Sequence, residues 1–283
     1  MGGVVEFASA PSSSAVYRRA ALGLLARRVA TDLPDTTLVL REVGVSREHL
    51  AGYNRVCGYQ LSDVLPATYP HVLAFGLAMR LMSGEDFPLP VVGVVHIANH
   101  IEQLRPIHAD ERLEFAVRAA DLRPHERGRQ FDMRVTASVG DEVVWRGVST
   151  YLRREKTTAG RPPADRPRPP RASAVWRVGR DVGRRYAKVS GDHNPIHTSR
   201  IGARLFGFPR PIAHGMWSKA RCLAGLCGRL PDRYQVDVAF KLPILLPATV
   251  HFAGIPAGDG WEIALHDAAS GKPHLTGSVT SFS

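Results

Sequence analysis

Hydrophobic and polar residues alternate over short stretches along much of this chain, a pattern typical of β-strands with one buried face. In the first half of the sequence the alternation predicts strands over residues 93–104, 112–121, 130–139 and 143–151. In the second half it predicts strands over residues 234–243, 248–254, 261–268 and 275–282. Turn residues, such as Gly140 with Asp141 and Gly258 with Gly260, separate these strands.

Helical patterns interrupt the strands at two corresponding places. Residues 70–82 and residues 213–228 are rich in small and apolar side chains, and each segment precedes its own group of strands. We expect one helix in each place, and an additional amphipathic helix over about residues 16–30. One helix followed by several antiparallel strands predicts an α+β fold in which a sheet wraps a central helix.

Similar sequence blocks recur in the same order in the two halves, which indicates that one unit was duplicated. The offsets between matching blocks are 133, 141, 141 and 130 residues. The first members of the four pairs are YNRVCG at 53–58, PHVLAFG at 70–76, VHIANHIEQLRP at 95–106 and RGVSTYL at 146–152. The second members are YAKVSG at 186–191, PIAHG at 211–215, VDVAFKLPILLP at 236–247 and TGSVTSF at 276–282.

A segment of unusual composition lies between the two repeats. Residues 153–171 contain seven basic residues, two acidic residues and five prolines. Such a stretch is expected to be an extended, solvated linker that is dispensable for chemistry. The predicted organisation is therefore a first unit over residues 1–152, the linker over 153–171, and a second unit over 172–283.

The segment YAKVSGDHNPIH, residues 186–197, carries the clearest chemical signal. Asp192 and His197 are five residues apart, and a continuous helix would turn them about 140° away from each other. Pro195 prevents that helix, because it disfavours the α conformation at Asn194. Asn194 is then the expected N-cap of a helix that begins at Pro195. This places Asp192 in a loop and His197 in the first helical turn, as a candidate proton-transfer pair.

The same segment resembles the hydratase motif of the R-specific enoyl-CoA hydratases and MaoC-like dehydratases. The strong part of the resemblance covers about residues 186–226 and includes GFPRPIAHGM at 207–216, which is similar to the start of the family's central helix. The matching positions of the motif are Tyr186, Ser190, Gly191, Asp192, Asn194, Pro195, Ile196 and His197. The resemblance implies a hot dog fold, and two such units in one chain imply a double hot dog, the fused version of a homodimer.

The resemblance also implies a reaction, the reversible hydration of trans-2-enoyl thioesters to (R)-3-hydroxyacyl thioesters of coenzyme A or an acyl carrier protein. Asp192 and His197 would hold the water between them. Gly215, at the start of the second central helix, would offer its N–H to the thioester carbonyl, because a helix start favours negative charge and glycine permits close approach. No metal, flavin or nicotinamide is required.

Supporting roles fall to residues around this pair. Asn194 would fix the loop, and Tyr186 and Ser190 would pack or orient. Ser218 lies one turn beyond Gly215 and could reach the site. His214 is expected to be a simple loop residue outside the catalytic set.

Other chemistry is less well supported by the sequence. His193 and His197 have a metal-like spacing, but Pro195 interrupts the helix that such a pair needs and no third ligand is evident. His96 and His100 are expected to share one face of a strand as structural residues. Ser190 lacks the G-x-S-x-G context of a serine hydrolase.

The first half lacks the motif, since YQLSDVLP follows Gly58, so one active site per chain is expected. Ser62 and Asp63 there are expected to be unimportant for the chemical step. Two alternative functions stay open: a hot dog acyl-thioesterase, and a non-catalytic subunit that binds acyl thioesters.

Bulk composition limits the remaining possibilities. The chain has 283 residues, of which 44% are hydrophobic, but no apolar run approaches the roughly 20 residues of a membrane span. Three cysteines without metal spacing, and no recognisable signal peptide, favour a reduced, cytoplasmic protein. The net charge of +11 raises nucleic acid as a partner, but no nucleic-acid motif is present. The charge fits the phosphates of coenzyme A or an acidic carrier protein equally well. Whether the chain forms a homodimer is left open.

Overall fold

The computed structural model describes residues 2–11, 30–91, 93–155 and 169–282. Its strands are β1 Gly3–Phe7, β2 Thr36–Val43, β3 Val94–Gln103, β4 Leu113–His125, β5 Gly128–Val139, β6 Glu142–Arg154, β7 Ala174–Val178, β8 Tyr234–Phe240, β9 Ala248–Ala257, β10 Gly260–Asp267 and β11 Pro273–Ser281. Its helices are α1 Arg47–Cys57, α2 Tyr69–Met82, α3 Val182–Ser190, α4 Pro195–Thr198, α5 Arg200–Leu205 and α6 Gly215–Ala224.

The described strands form one sheet in the order β1-β2-β4-β5-β6-β3-β8-β11-β10-β9-β7. The order β2-β4-β5-β6-β3 in the first half matches β7-β9-β10-β11-β8 in the second half, and β1 is an addition that pairs parallel to β2. The two halves join where β3 pairs antiparallel with β8. The matching strand orders confirm the predicted repeat of two units and the double hot dog fold, and the sheet is continuous across both halves.

One long buried helix packs against the sheet in each half. In the first half α2 contacts β2, β4 and β5, and ten of its fourteen residues are buried. In the second half α6 contacts β10 and buries seven of its ten residues. These two helices are the predicted central helices, and burial of their apolar side chains against the sheet contributes to the hydrophobic core of each half.

The side chain of Lys219 joins α6 by hydrogen bonds to the two strands at the junction between the halves. Its side chain is completely buried, and Nζ donates hydrogen bonds to the Asn99 carbonyl at 3.1 Å, to Asn99 Oδ1 at 2.6 Å and to the Val236 carbonyl at 3.0 Å. Asn99 lies on β3 and Val236 on β8, so one amine binds both central strands. Burial lowers the pKa of Lys219 well below its usual value.

The structure differs from the sequence prediction in the number of helices. We expected a loop directly after Tyr53 and after Tyr186, but both tyrosines lie inside helices, α1 and α3, that the sequence analysis did not predict. These helices end at Gly58 and Gly191, which adopt the left-handed conformation with φ of 81° and 73°. The strands β1, β2 and β7 were also missed.

Two predicted segments fall mainly outside the described residues. The amphipathic helix over residues 16–30 overlaps them only at Ala30, and the linker over 153–171 overlaps them only at 153–155 and 169–171. No helix in the described part of the chain is long and apolar enough to cross a membrane.

Candidate active site

The loop between α3 and α4 is shaped by short-range hydrogen bonds from its own side chains. The Asp192 N–H donates to Ser190 Oγ, and the Asn194 N–H donates to Asp192 Oδ1, both at 3.2 Å. Asn194 is extended, with φ of −53° and ψ of 126°, and its Oδ1 accepts the Ile196 N–H at 3.3 Å. Pro195 occupies the first position of α4. The predicted local geometry is therefore confirmed: Asp192 lies in the loop and His197 in the first helical turn.

The segment before α6 is held by backbone hydrogen bonds to distant residues. The Ile212 N–H donates to the Ile196 carbonyl at 3.1 Å, and the Ala213 N–H donates to the Ile244 carbonyl at 3.0 Å. His214 is extended, with φ of −68° and ψ of 140°, and it is the N-cap of α6, which begins at Gly215 and ends at Ala224. The predicted helix over 213–228 was therefore too long at both ends.

These two segments bring Asp192, His197 and His214 together. Each side chain contributes one imidazole nitrogen or carboxylate oxygen, and these three atoms all lie within 4.8 Å of one another. The imidazole rings of His197 and His214 stack, with centroids 3.7 Å apart. His214 Nε2 contacts the Asp192 carbonyl at 3.0 Å and its carboxylate at 3.7 Å. The predicted convergence of Asp192 and His197 is confirmed, and His214, which we left out, belongs to the same cluster.

Backbone carbonyls assign the proton on each ring. His197 Nδ1 lies 2.8 Å from the Ile212 carbonyl, which can only accept, so Nδ1 carries the hydrogen and Nε2 is left as an acceptor. The same reasoning puts the His214 hydrogen on Nε2, opposite the Asp192 carbonyl. His214 Nδ1 is buried and has no hydrogen-bond partner among the described residues. The free Nε2 of His197 is the basic atom of the cluster.

Burial keeps both imidazoles neutral. It lowers the pKa of His197 below the usual 6.5, although the carboxylate of Asp192 opposes the change. It lowers the pKa of His214 to about 3, and the neighbouring His197 contributes in the same direction. Near neutral pH, His197 is therefore ready to accept a proton, which is the state that a general base requires.

Gly215 lies at the wall of the site, where α6 begins. The first bond of the helix runs from the Ser218 N–H to the His214 carbonyl at 3.2 Å, so the N–H of Gly215 has no acceptor within the helix. A Cβ atom built at Gly215 would lie 3.1–3.2 Å from three carbons of the Phe240 ring. The position therefore favours glycine, and it exposes an N–H at the positive end of the helix dipole.

The predicted supporting residues surround the cluster. Tyr186 is buried, and its ring lies 4.9 Å from that of His214. Ser218 is also buried, and its Oγ donates to the His214 carbonyl at 3.3 Å. Ser190 and Asn194 shape the loop around Asp192 as described above. These four residues therefore contact His214 or the loop that carries Asp192.

A cavity of about 1040 Å³ opens from this cluster into the first half of the chain. The second half contributes the cluster itself, Gly215 and Phe240, whereas the first half contributes a largely apolar wall. That wall includes Phe75, Met79, Met82, Val91, Val94 and Tyr151. The cavity is therefore shared: the cluster of Asp192, His197 and His214 comes from the second half and much of the apolar lining comes from the first.

Two histidines line this wall, and the sequence analysis placed neither of them at the cavity. His71 on α2 and His96 on β3 line the cavity with rings 6.1 Å apart, and burial lowers the pKa of His71 to about 4. A bulge between His96 and Ala98 changes the alternation of β3. His96 and His100 therefore lie on opposite faces, contrary to our prediction, and His100 pairs with Asp237 at 2.7 Å.

The cluster of Asp192, His197 and His214 could present three ligand atoms to a metal ion, a different set from the pair His193 and His197 that the sequence suggested. Its geometry is poor for that purpose, because an imidazole binds metal through a lone pair in the ring plane. The rings of His197 and His214 stack in planes inclined by 25°, and one nitrogen of each ring faces a backbone carbonyl and is not available to a metal. The arrangement suits proton transfer better than metal binding.

The fold and site define a class: a double hot dog protein with an Asp–His pair beside the start of one central helix. Residues 156–255 match the family model described as MaoC like domain. The chain is 41% identical over 274 residues to 3-hydroxyacyl-thioester dehydratase X of Mycobacterium tuberculosis, covering 95% of this chain and 98% of that protein. The chain therefore belongs to the MaoC-like dehydratase family.

Solved structures agree with this assignment. The crystal structure of HtdX from Mycobacterium tuberculosis is 40% identical and superimposes with a TM-score of 0.79, covering 87% of this chain and all of that one. A MaoC-like dehydratase from Phytophthora capsici, 17% identical, has a TM-score of 0.70 over 87% of this chain and 95% of that chain. The second likeness supports the fold alone.

Proposed function

We propose that this protein catalyses the reversible addition of water to a trans-2-enoyl thioester, giving an (R)-3-hydroxyacyl thioester. One observation carries the proposal: the Asp192 carboxylate and His197 imidazole meet within 4.8 Å of each other at one end of a large, mainly apolar cavity. The dehydratase name of the relative from Mycobacterium tuberculosis supports the same reaction. The acyl group would be carried on coenzyme A or an acyl carrier protein.

The start of α6 would activate the substrate. The thioester carbonyl accepts a hydrogen bond from the Gly215 N–H, which draws electrons from the conjugated double bond and makes C3 electrophilic. Negative charge that develops on this oxygen is stabilised by the same N–H and by the helix dipole. No side chain at position 215 obstructs the approach.

The proton transfers would centre on His197. Its Nε2 accepts a proton from water while the water oxygen bonds to C3, and the electron pair of the C2–C3 double bond moves into the enolate. The resulting imidazolium then returns the proton to C2 on the same face, which regenerates the neutral ring. Asp192 accepts a hydrogen bond from the water and stabilises the imidazolium. Dehydration is the reverse sequence.

The remaining residues would position this machinery. His214 stacks on His197 and bonds to the Asp192 carbonyl, so it restricts both groups. Ser190 and Asn194 fix the loop, whereas Tyr186 and Ser218 hold His214 from the side. These roles do not involve direct contact with the reacting atoms.

We also propose a division of labour along the chain. Residues 172–283 supply the chemistry and residues 1–152 supply the acyl-binding wall, with the linker over 153–171 between them, so each chain has one active site. A cytoplasmic location is part of the proposal and is supported by the three free thiols of Cys57, Cys222 and Cys227.

The test is an absorbance assay of the purified protein with trans-2-enoyl-CoA substrates of increasing chain length. Loss of the conjugated enoyl absorbance, with an (R)-3-hydroxyacyl product, is expected. Parallel incubation with saturated acyl-CoA and a thiol reagent addresses the thioesterase alternative. Thiol release without hydration, or binding without either reaction, would overturn the proposal.

A further inference from the structure

A small exposed ridge stands next to the site and takes no part in the mechanism. It consists of α5 with the residue that follows: Arg200, Ile201, Arg204, Leu205 and Phe206. Ile201 is 75% exposed and Leu205 79% exposed, and their spacing of four places them on one face of the helix. Arg200 and Arg204 form a parallel pair beside them, also exposed. Large aliphatic side chains at this level of exposure suggest a surface that a partner covers.

The ridge is firmly attached to the helix that carries His197. Gly202 and Ala203 form its buried face, and a Cβ atom at Gly202 would lie only 2.4 Å from the Cβ of Pro195 on α4. Ser199 caps α5 by accepting the Gly202 N–H at 3.2 Å. The exposed side chains therefore project from a fixed support rather than from a loose loop.

The ridge also borders the cavity. The Phe208 N–H donates to the Ala203 carbonyl of α5 at 2.9 Å, and the Phe208 side chain lines the cavity. Lys241, Leu242 and Lys272 line the same cavity and are themselves exposed at the surface, Leu242 by 39%. A partner seated on the ridge would therefore lie beside the route by which substrate enters.

The sequence around the ridge contains basic residues and no acidic ones. No acidic residue occurs between His193 and Pro231 in the sequence. In the described part of the chain, neither Arg200 nor Arg204 forms an ion pair, and Asp192 is the single acid that lines the cavity. Unpaired cations around exposed aliphatic groups complement a partner that is acidic and has a small apolar patch.

We propose that the ridge docks an acidic carrier protein, which delivers the acyl thioester on its phosphopantetheine arm. This inference rests on the proposed function and selects between its two carriers. Coenzyme A would leave Ile201 and Leu205 exposed, because a single small nucleotide offers too little apolar surface to cover two projecting aliphatic side chains. A membrane is a poorer fit, since three apolar side chains on a short helix bury too little area for interfacial binding.

The experiment compares one acyl group on two carriers. Initial rates are measured with trans-2-octenoyl-CoA and with the same acyl group on a purified bacterial acyl carrier protein. The variants are Arg200→Glu with Arg204→Glu, and Ile201→Ser with Leu205→Ser. Arg118→Glu is the matched control, because Arg118 is exposed on β4 and does not line the cavity.

We expect both double variants to lower kcat/KM for the carrier-protein substrate by about tenfold or more, since steering charges and a docking patch act on association. Turnover of the coenzyme A substrate should change by less than about twofold, which also shows that the variants fold. The double variant Arg200→Lys with Arg204→Lys keeps both charges and should retain most activity with the carrier-protein substrate. Raising the salt concentration should lower the activity of the wild-type protein with that substrate.

Three outcomes would overturn the inference. Wild type that hydrates the coenzyme A substrate but not the carrier-protein substrate would leave the proposed function intact and remove the docking role. Equal losses on both carriers would mean that the ridge supports catalysis itself. Co-sedimentation with vesicles of phosphatidylcholine and phosphatidylglycerol, abolished by the same variants without an effect on the carrier-protein substrate, would assign the ridge to membranes.

Discussion

Replacing Gly215 with alanine tests whether the thioester carbonyl approaches the start of α6. The new Cβ would lie 3.1–3.2 Å from three carbons of the Phe240 ring, which is closer than the usual carbon–carbon contact of about 3.5–4.0 Å. The ring must therefore shift, or the helix start must move away. Either change alters the position of the Gly215 N–H relative to the substrate.

The expected change in the activation free energy of hydration is larger than the expected change in the free energy of unfolding. Overpacking of one methyl group costs about 1–3 kcal/mol, and alanine in a helix recovers about 1 kcal/mol over glycine. The free energy of unfolding should then fall by about 2 kcal/mol at most. Loss of one preorganised donor to a developing oxyanion costs about 3–4 kcal/mol, so kcat should fall about 10²–10³-fold.

The assay measures hydration rate and urea unfolding for Gly215→Ala, for Phe240→Leu and for the two changes together. Leucine at position 240 makes room for the methyl group, so the double variant should recover stability. Its rate should stay low, because the methyl group at position 215 still obstructs the approach of the thioester carbonyl to the helix start. Near-normal turnover of Gly215→Ala would refute the assignment of the carbonyl site. Recovery of rate in the double variant, relative to Phe240→Leu alone, would show that crowding explains the whole effect.

Three further predictions concern protonation, the junction and the linker. The acidic limb of the kcat/KM profile should have its midpoint below pH 6.5, because burial lowers the pKa of His197 and only the neutral ring accepts a proton; a midpoint above 6.5 would contradict this. Lys219→Met should lower the free energy of unfolding in urea by about 2–5 kcal/mol, since three hydrogen bonds between α6 and the central strands are lost, and an unchanged midpoint would disprove that role. Proteolytic cleavage within residues 153–171 should leave two fragments that co-elute and remain active, because β3 and β8 pair across the halves; freely separating fragments would show autonomous halves.

The repeated architecture was predictable because duplication leaves a sequence record. Two of the four pairs of matching blocks mark equivalent helices, and the other two mark the equivalent strands β3 and β8 and β6 and β11. The helices α1 and α3 were missed although signals were present: Ser46 caps α1 by accepting the His49 N–H, and Gly58 and Gly191 end the two helices. Short, mostly polar helices provide little apolar periodicity, so their caps are the better evidence.

The local part of the site was also predictable. Asn194 and Pro195 determine the turn between Asp192 and His197 through backbone rules that act over a few residues. His214 was missed because its place depends on residues far along the chain: Ala213 bonds to Ile244, and the ring stacks on His197. His71 and His96 were missed for a related reason, since they reach the cavity from the other half and a bulge sets the direction of His96.

The most direct test of the central claim is the hydration rate of Asp192→Asn and His197→Ala with a trans-2-enoyl-CoA substrate. Asparagine at position 192 keeps an oxygen that can accept the Asn194 N–H, so the loop should be preserved while the charge is removed. With circular dichroism and unfolding midpoints close to wild type, we predict that each variant loses at least about 10²-fold in kcat. A well-folded variant of either kind that retains near-normal turnover would contradict the proposed mechanism.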